Sequence, residues 1–294
     1  MAAIVRAGQT SMGFWLLSCT FVFQSAAVSG LTFFKSPNIA KPCSLPATIL
    51  KHSVDTRKIT ISIFLLLTII GGLFVFAKKE NEDKNFVSFK VDLQKQDLKL
   101  YWKDNNGQNF KSLGALKIWL ESRNETLEFA MNAGMYKQDN SPQGLFIENG
   151  NTVKSLDTTS GNGNFYLKPN GIFYITKNRK AGIIETIKIG RIDTLKYATQ
   201  SGPMLIIDGN IHPSFIEGSK NLNIRNGVGI LPNNQIIFAM SKSEMNFYDF
   251  ANYFKKLGCK NALYLDGLVS RTYLPQKNWK QTDGNFGVII GVSK

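Results

Sequence analysis

Ala262-Leu263-Tyr264-Leu265-Asp266-Gly267-Leu268-Val269-Ser270-Arg271 is the stretch on which the reading of this chain turns. Its first four residues are an apolar run of the length expected for a buried strand. A carboxylate, a glycine, a hydroxyl and a guanidinium then arrive together where that strand should end. Polar groups just past a strand's end stand on a rigid support and face solvent, where binding and catalytic groups are usually placed. Immediately upstream, Phe247, Phe250, Ala251, Phe254 and Leu257 recur at helical spacing and form one apolar stripe. Asn246 is expected to cap that helix, Gly258 to end it, and its stripe to pack against the strand. Cys259, between the two, is expected to be a buried structural thiol.

Working outward, the body is a succession of short strand signals. Phe86–Trp102 alternates apolar and polar residues in places and is expected to form a hairpin. Ser112–Ser122 is expected to hold a short amphipathic helix. Leu127–Met131 reads as a strand that delivers Asn132-Ala133-Gly134. Leu145–Ile147 is followed by an Asn149-Gly150 turn, and Met204–Ile207 by an Asp208-Gly209 turn. Phe165–Leu167 and Ile172–Ile175 are expected to be paired strands around Pro169-Asn170-Gly171. Many short strands with two convincing helices predict an α+β fold, a mixed sheet with few helices in one main domain.

The front of the chain differs in kind. Residues 59–77 are uncharged throughout and long enough to span a bilayer as a signal anchor or to serve as a signal peptide. Residues 1–58 are expected to be an N-terminal extension, 78–124 a linker with the first strands and helix, and 125–294 the principal domain. This predicts an exported body in the cell envelope, associated with the membrane through 59–77 or released after Ala77. That body holds 29 basic and 20 acidic residues, a balance suited to an acidic partner such as a phosphate-bearing glycan. The charges are scattered and lack nucleic-acid motif spacing, so no nucleic-acid partner is expected.

The sequence contains no cluster of metal ligands at the usual spacing, no Gly-x-Ser-x-Gly elbow and no phosphate loop. No metal and no cofactor are therefore expected. Polar residues instead recur at strand ends. If those ends converge, Asn132, Gln200, Arg225, Asp266, Ser270 and Arg271 share a pocket. Two guanidiniums beside amides suit a phosphate or carboxylate, and one carboxylate suits proton transfer or attack at an anomeric carbon. Asp208 presents itself as a second carboxylate although it reads as a turn residue. His212, the single histidine of residues 78–294, is the remaining acid–base candidate.

Six motifs in this order resemble the phosphodiester glycosidases. They are Asn132-Ala133-Gly134-Met135-Tyr136, Pro142-Gln143-Gly144, Gln200-Ser201-Gly202-Pro203-Met204, Asp208-Gly209, Arg225-Asn226-Gly227 and Leu265-Asp266-Gly267 with Ser270. The resemblance covers about residues 125–294. It implies a mixed α/β domain that hydrolyses a sugar-1-phosphodiester. It also implies a site on Asn132, Gln200, Arg225, Asp266 and Ser270, and Gly134, Gly202 and Asn226 of the same motifs are further substrate-binding candidates. Leu268 stands where close members have a second glycine, and Arg271 follows the serine, so loop and substrate are expected to differ from theirs. A reading of another class is a non-catalytic envelope protein that binds an anionic glycan; it needs the arginines and amides but not Asp266.

Overall fold

The computed structural model of the protein describes residues 83–266 and 269–294. The expectations for the extension 1–58, for the hydrophobic segment 59–77 and for Leu268 lie outside the described residues. Among the described residues no helix is long and apolar enough to cross a membrane.

Among the described residues sixteen strands, numbered in chain order, form three sheets. The first runs β1 (Phe86–Val91), β12 (Ile236–Ser241), β11 (Asn226–Ile230), β13 (Ala262–Tyr264), β9 (Met204–Ile207), β10 (Asn210–Ile211). The second runs β15 (Trp279–Lys280), β14 (Thr272–Leu274), β3 (Leu127–Asn132), β16 (Ile289–Ser293), β2 (Leu98–Tyr101). The third runs β5 (Asn151–Lys154), β4 (Phe146–Glu148), β8 (Leu195–Ser201), β6 (Gly171–Thr176), β7 (Ala181–Glu185). Two α-helices, Leu113–Glu121 and Phe247–Lys256, complete the regular structure of these residues.

The strand that opened the sequence reading is β13, in the interior of the first sheet between β11 and β9. Successive side chains of a strand face opposite ways. Leu263 therefore enters a core shared by all three sheets, with Phe129, Phe146, Phe173 and Phe238. Ala262 and Tyr264 face the other way, onto Phe247, Phe250 and Phe254 of the following layer. The helix is set as its sequence dictates. The Asn246 side chain accepts from the Asp249 N–H at 2.8 Å, and Gly258 takes φ 77° just past the end. Cys259 is buried beneath it, and desolvation pushes its thiol up to about 12, so it stays protonated.

Three expectations are corrected. Every pairing among the described strands is antiparallel, so the predicted mixed sheet is three antiparallel sheets. Phe86–Trp102 is not a hairpin: β1 pairs with β12 and β2 with β16, in different sheets. Alternation says that a strand has one buried face but not which strand lies beside it, and Asp92–Gln96 carries no two-residue hairpin signal. Residues 83–124 thus supply strands to the sheets that later residues build. Phe165–Leu167 is not a strand either; Asn164–Tyr166 is a 3-10 turn, its Phe165 carbonyl taken by the Asn170 amide at 2.9 Å. Aromatic enrichment there reflects burial, not pairing.

Candidate functional site

After Tyr264 the chain leaves the first sheet, and at Thr272 it enters the second as β14. The segment 265–271 is therefore a crossing between two sheets, and two asparagines secure it. Asn132, the last residue of β3, donates its amide to the Asp266 carbonyl at 2.7 Å and accepts the Arg271 N–H on Oδ1 at 2.8 Å. Asn226, the first residue of β11, donates to the Asn132 carbonyl at 2.8 Å and to its Oδ1 at 3.1 Å. The Asp266 N–H adds a bond to the Ala133 carbonyl at 2.9 Å. Both asparagines are fully buried. Their amides hold protein groups, which ties the loop to β3 and β11. Ser270 joins them, its hydroxyl placed 3.1 Å from the Ile224 carbonyl and 3.3 Å from Asn226 Oδ1.

Arg225 is wholly buried one residue before β11. Its Nε donates to the Met245 carbonyl at 2.7 Å, Nη2 to the Asn221 carbonyl at 2.8 Å, and Nη1 to the Tyr264 hydroxyl at 3.3 Å. None of these acceptors is a carboxylate. The guanidinium lies 3.6 Å from the centroid of the Phe247 ring, which stacks on Phe215, which stacks on His212. Burial lowers its pKa, offset in part by the Tyr264 oxygen, and an arginine remains charged throughout. A buried cation held by neutral oxygens and a ring face suits an anionic ligand.

Both charges act on Tyr264. Desolvation raises its phenol to about 12; Arg225 opposes the rise and Asp266 adds to it. Tyr136 also responds to Asp266, after desolvation, and reaches about 12. Asp266, at 7% exposure, is thus within electrostatic reach of two protonated hydroxyls. Tyr136 stands in a motif without a role of its own, and Tyr264 stands in the apolar run of β13; its hydroxyl at the sheet's end is the signal that marks it.

Burial raises Tyr101 to about 12 as well, and raises Tyr197. A phenol with a raised folded pKa stabilises fully below its unfolded value of about 10 and loses that contribution as pH rises through the folded value. Stability should therefore fall between about pH 10 and 12, and these four phenols should stay protonated near pH 10 while near-UV circular dichroism reports a folded protein. Their ionisation near pH 10 in a still-folded protein would contradict the burial.

The other expected site residues are elsewhere or otherwise engaged. Asp208 is a turn residue with φ 45°, 63% exposed and 3.7 Å from Lys260. Its partners, Lys260 and Asn261, precede β13, whereas Asp266 follows it, so the two carboxylates lie at opposite ends of one strand. The pairing of Asp208 with Asp266 is corrected: a turn in φ-positive geometry explains the Asp-Gly signal. His212 is buried; its Nδ1 accepts the Ser214 N–H at 3.1 Å and its Nε2 meets the Lys168 carbonyl at 3.1 Å. That network assigns the proton to Nε2, and burial pushes the pKa down, leaving a neutral structural ring. Gln200 accepts the Leu145 and Asp157 N–H groups at 2.9 and 3.0 Å and donates to the Asp157 carbonyl at 2.6 Å and Thr186 Oγ1 at 3.3 Å. Its amide is saturated by protein, so it organises the 155–157 loop. Gly134 and Gly202 permit close approach: a Cβ would stand 2.6 Å from the Gln200 carbonyl and 2.7 Å from Asn170 Cβ, respectively. Arg271 is paired with Asp283, a residue no motif marked.

Among the described residues no group of three or more His, Cys, Asp or Glu side chains could hold a metal. The groups gathered here are one carboxylate, one buried guanidinium and hydroxyls.

Residues 125–292 match the family model described as phosphodiester glycosidase. A protein of Escherichia coli (strain K12), described as uncharacterized protein YigE, is 37% identical over 217 residues, covering 72% of this chain and 84% of that protein. In fold the chain is similar to the zebrafish N-acetylglucosamine-1-phosphodiester alpha-N-acetylglucosaminidase catalytic domain auto-inhibited by pro-peptide. That likeness has a TM-score of 0.50 at 14% identity and covers 74% of this chain and 86% of that one.

Proposed function

The chain belongs to the phosphodiester glycosidase family, and we propose that it is an exported hydrolase that cleaves a sugar-1-phosphodiester in an envelope or secreted glycan. The observation that carries this reading is the wholly buried Arg225, held by neutral oxygens that include the Tyr264 hydroxyl, two residues before Asp266. Arg225 binds the phosphodiester anion. Asp266 acts at the anomeric carbon, as general base for water or as nucleophile. Overall, water oxygen bonds to C1, the bond from C1 to the phosphate oxygen breaks, and the phosphate leaves as a monoester.

Ordinary glycosidases use two carboxylates, because a departing alkoxide needs a proton from the second. A phosphate monoester has a second pKa of about 6 and departs near neutral pH without one. A site with a single carboxylate is therefore sufficient for this bond, which accounts for Asp208 lying elsewhere. Export is supported by the uncharged stretch 59–77, which would anchor the protein in the membrane or be removed from it. The basic body favours an anionic glycan.

The test is incubation with a synthetic N-acetylglucosamine-1-phosphate alkyl diester, chosen after the fold relative, and with its glucose counterpart. Free sugar and phosphate monoester should appear in equal amounts. Tight binding without product would favour the non-catalytic reading. Arg225→Lys keeps a charge but loses the planar fork, so KM should rise roughly tenfold to a hundredfold, the effect of about 1.5–3 kcal/mol for a lost hydrogen bond to a charged group. An unchanged KM in folded protein would remove Arg225 from the anion site.

A further inference from the structure

Arg271 presents two donors side by side to a carboxylate. Its Nε lies 2.8 and 2.9 Å from the two Asp283 oxygens, and its Nη2 lies 2.8 Å from Oδ2. The root of the residue is fixed: the main-chain N–H is bound to Asn132 Oδ1, and Nη1 donates to the Ser270 carbonyl at 3.0 Å. The Arg271 side chain is 32% exposed and that of Asp283 65%, so the pair is open to solvent and adds little to stability. Asp283 belongs to the segment 281–287 between β15 and β16, which also borders the site. There the Asn285 carbonyl accepts the Tyr136 hydroxyl at 2.7 Å, and Tyr136 is one of the two phenols that respond to Asp266.

A guanidinium fork that grips two carboxylate oxygens has the geometry that grips two phosphate oxygens. We propose that Asp283 is an internal stand-in for the substrate's phosphodiester, which Arg271 releases in exchange for phosphate oxygens when an anionic glycan enters. This rests on the phosphodiester reading above and adds a division of labour. Arg225 is the fixed, buried charge; Arg271 is the exchangeable one, and its partner sets a threshold that an anion must exceed. Neutral glycans gain nothing from the exchange, so the pair selects for the diester. The exchange breaks and forms only hydrogen bonds and ion contacts.

The test is calorimetric binding of a non-hydrolysable probe, the methyl ester of an N-acetylglucosamine C-glycosyl phosphonate, to the full chain and its variants. Asp283→Ala should bind about fivefold tighter, because the competing ion pair is gone, and Asp283→Asn should shift in the same direction. Arg271→Gln should bind about tenfold more weakly. The double variant Asp283→Ala/Arg271→Gln should match Arg271→Gln alone, since Asp283 acts only through Arg271. Thermal midpoints near that of the parent protein establish that the variants fold. The proposal is overturned if Asp283→Ala binds no tighter, if its gain persists without Arg271, or if the probe binds none of the proteins. Turnover of the diester by the unsubstituted protein is scored separately. Turnover without an Asp283 effect refutes only the exchange, and exchange without turnover refutes only hydrolysis.

Discussion

Asp266→Asn is expected to lower the turnover of a sugar-1-phosphodiester by about a thousandfold while the protein remains folded, the scale on which a lost general base or nucleophile is felt. The substitution tests the charge with the main-chain anchors of the loop kept. The Asp266 N–H bonds the Ala133 carbonyl at 2.9 Å and its carbonyl accepts the Asn132 amide at 2.7 Å. Asparagine keeps both contacts and the side-chain volume and removes only the charge. The measurement is kcat at saturating diester, with thermal midpoints of parent and variant compared. Undiminished turnover by the folded variant would rule out the assigned role.

Asn132→Ala is expected to cost about 3–5 kcal/mol of stability, as it leaves several buried polar groups unsatisfied. The Asp266 carbonyl, the Arg271 N–H and the Asn226 amide each lose a partner, and no water-exposed route replaces them in a site this buried. Urea unfolding with the slope held common to both proteins reads the cost. Activity of the folded fraction should fall as well, since the segment 265–271 loses its tether to β3. A cost below about 1 kcal/mol would mean that the two-sheet clamp is dispensable.

Local physics made part of this legible. The stripe Phe247 to Leu257, its cap at Asn246 and the apolar run of β13 depend on spacing within one element, and all lie where the pattern put them. The site was harder, because identical local signals have different long-range settings. Asp208 and Asp266, each before a glycine in the sequence, both follow apolar strands. One closes a hairpin, whereas after the other the chain passes to another sheet. Gln200 stands in a motif, yet whether an amide meets a ligand or the loop beside it depends on partners such as Leu145 and Asp157, about 43–55 positions away. Asp283 has no motif at all; only the return of the chain to Arg271 gives it a meaning.

The placement of the last strand has a consequence for how the protein comes into being. β16 lies between β3 and β2, with Ile289 opposite both Asn132 and Tyr101, and β1 waits for β12 as β2 waits for β16. A chain made from its N-terminus cannot complete the second sheet, or seat Asn132 beside its neighbours, until β16 has been synthesised. Pairings of such wide sequence separation also form slowly. A polypeptide that stays open until β16 is made is the form in which a chain can be threaded through a membrane; were it exported as proposed above, passage would come first and catalysis only after arrival.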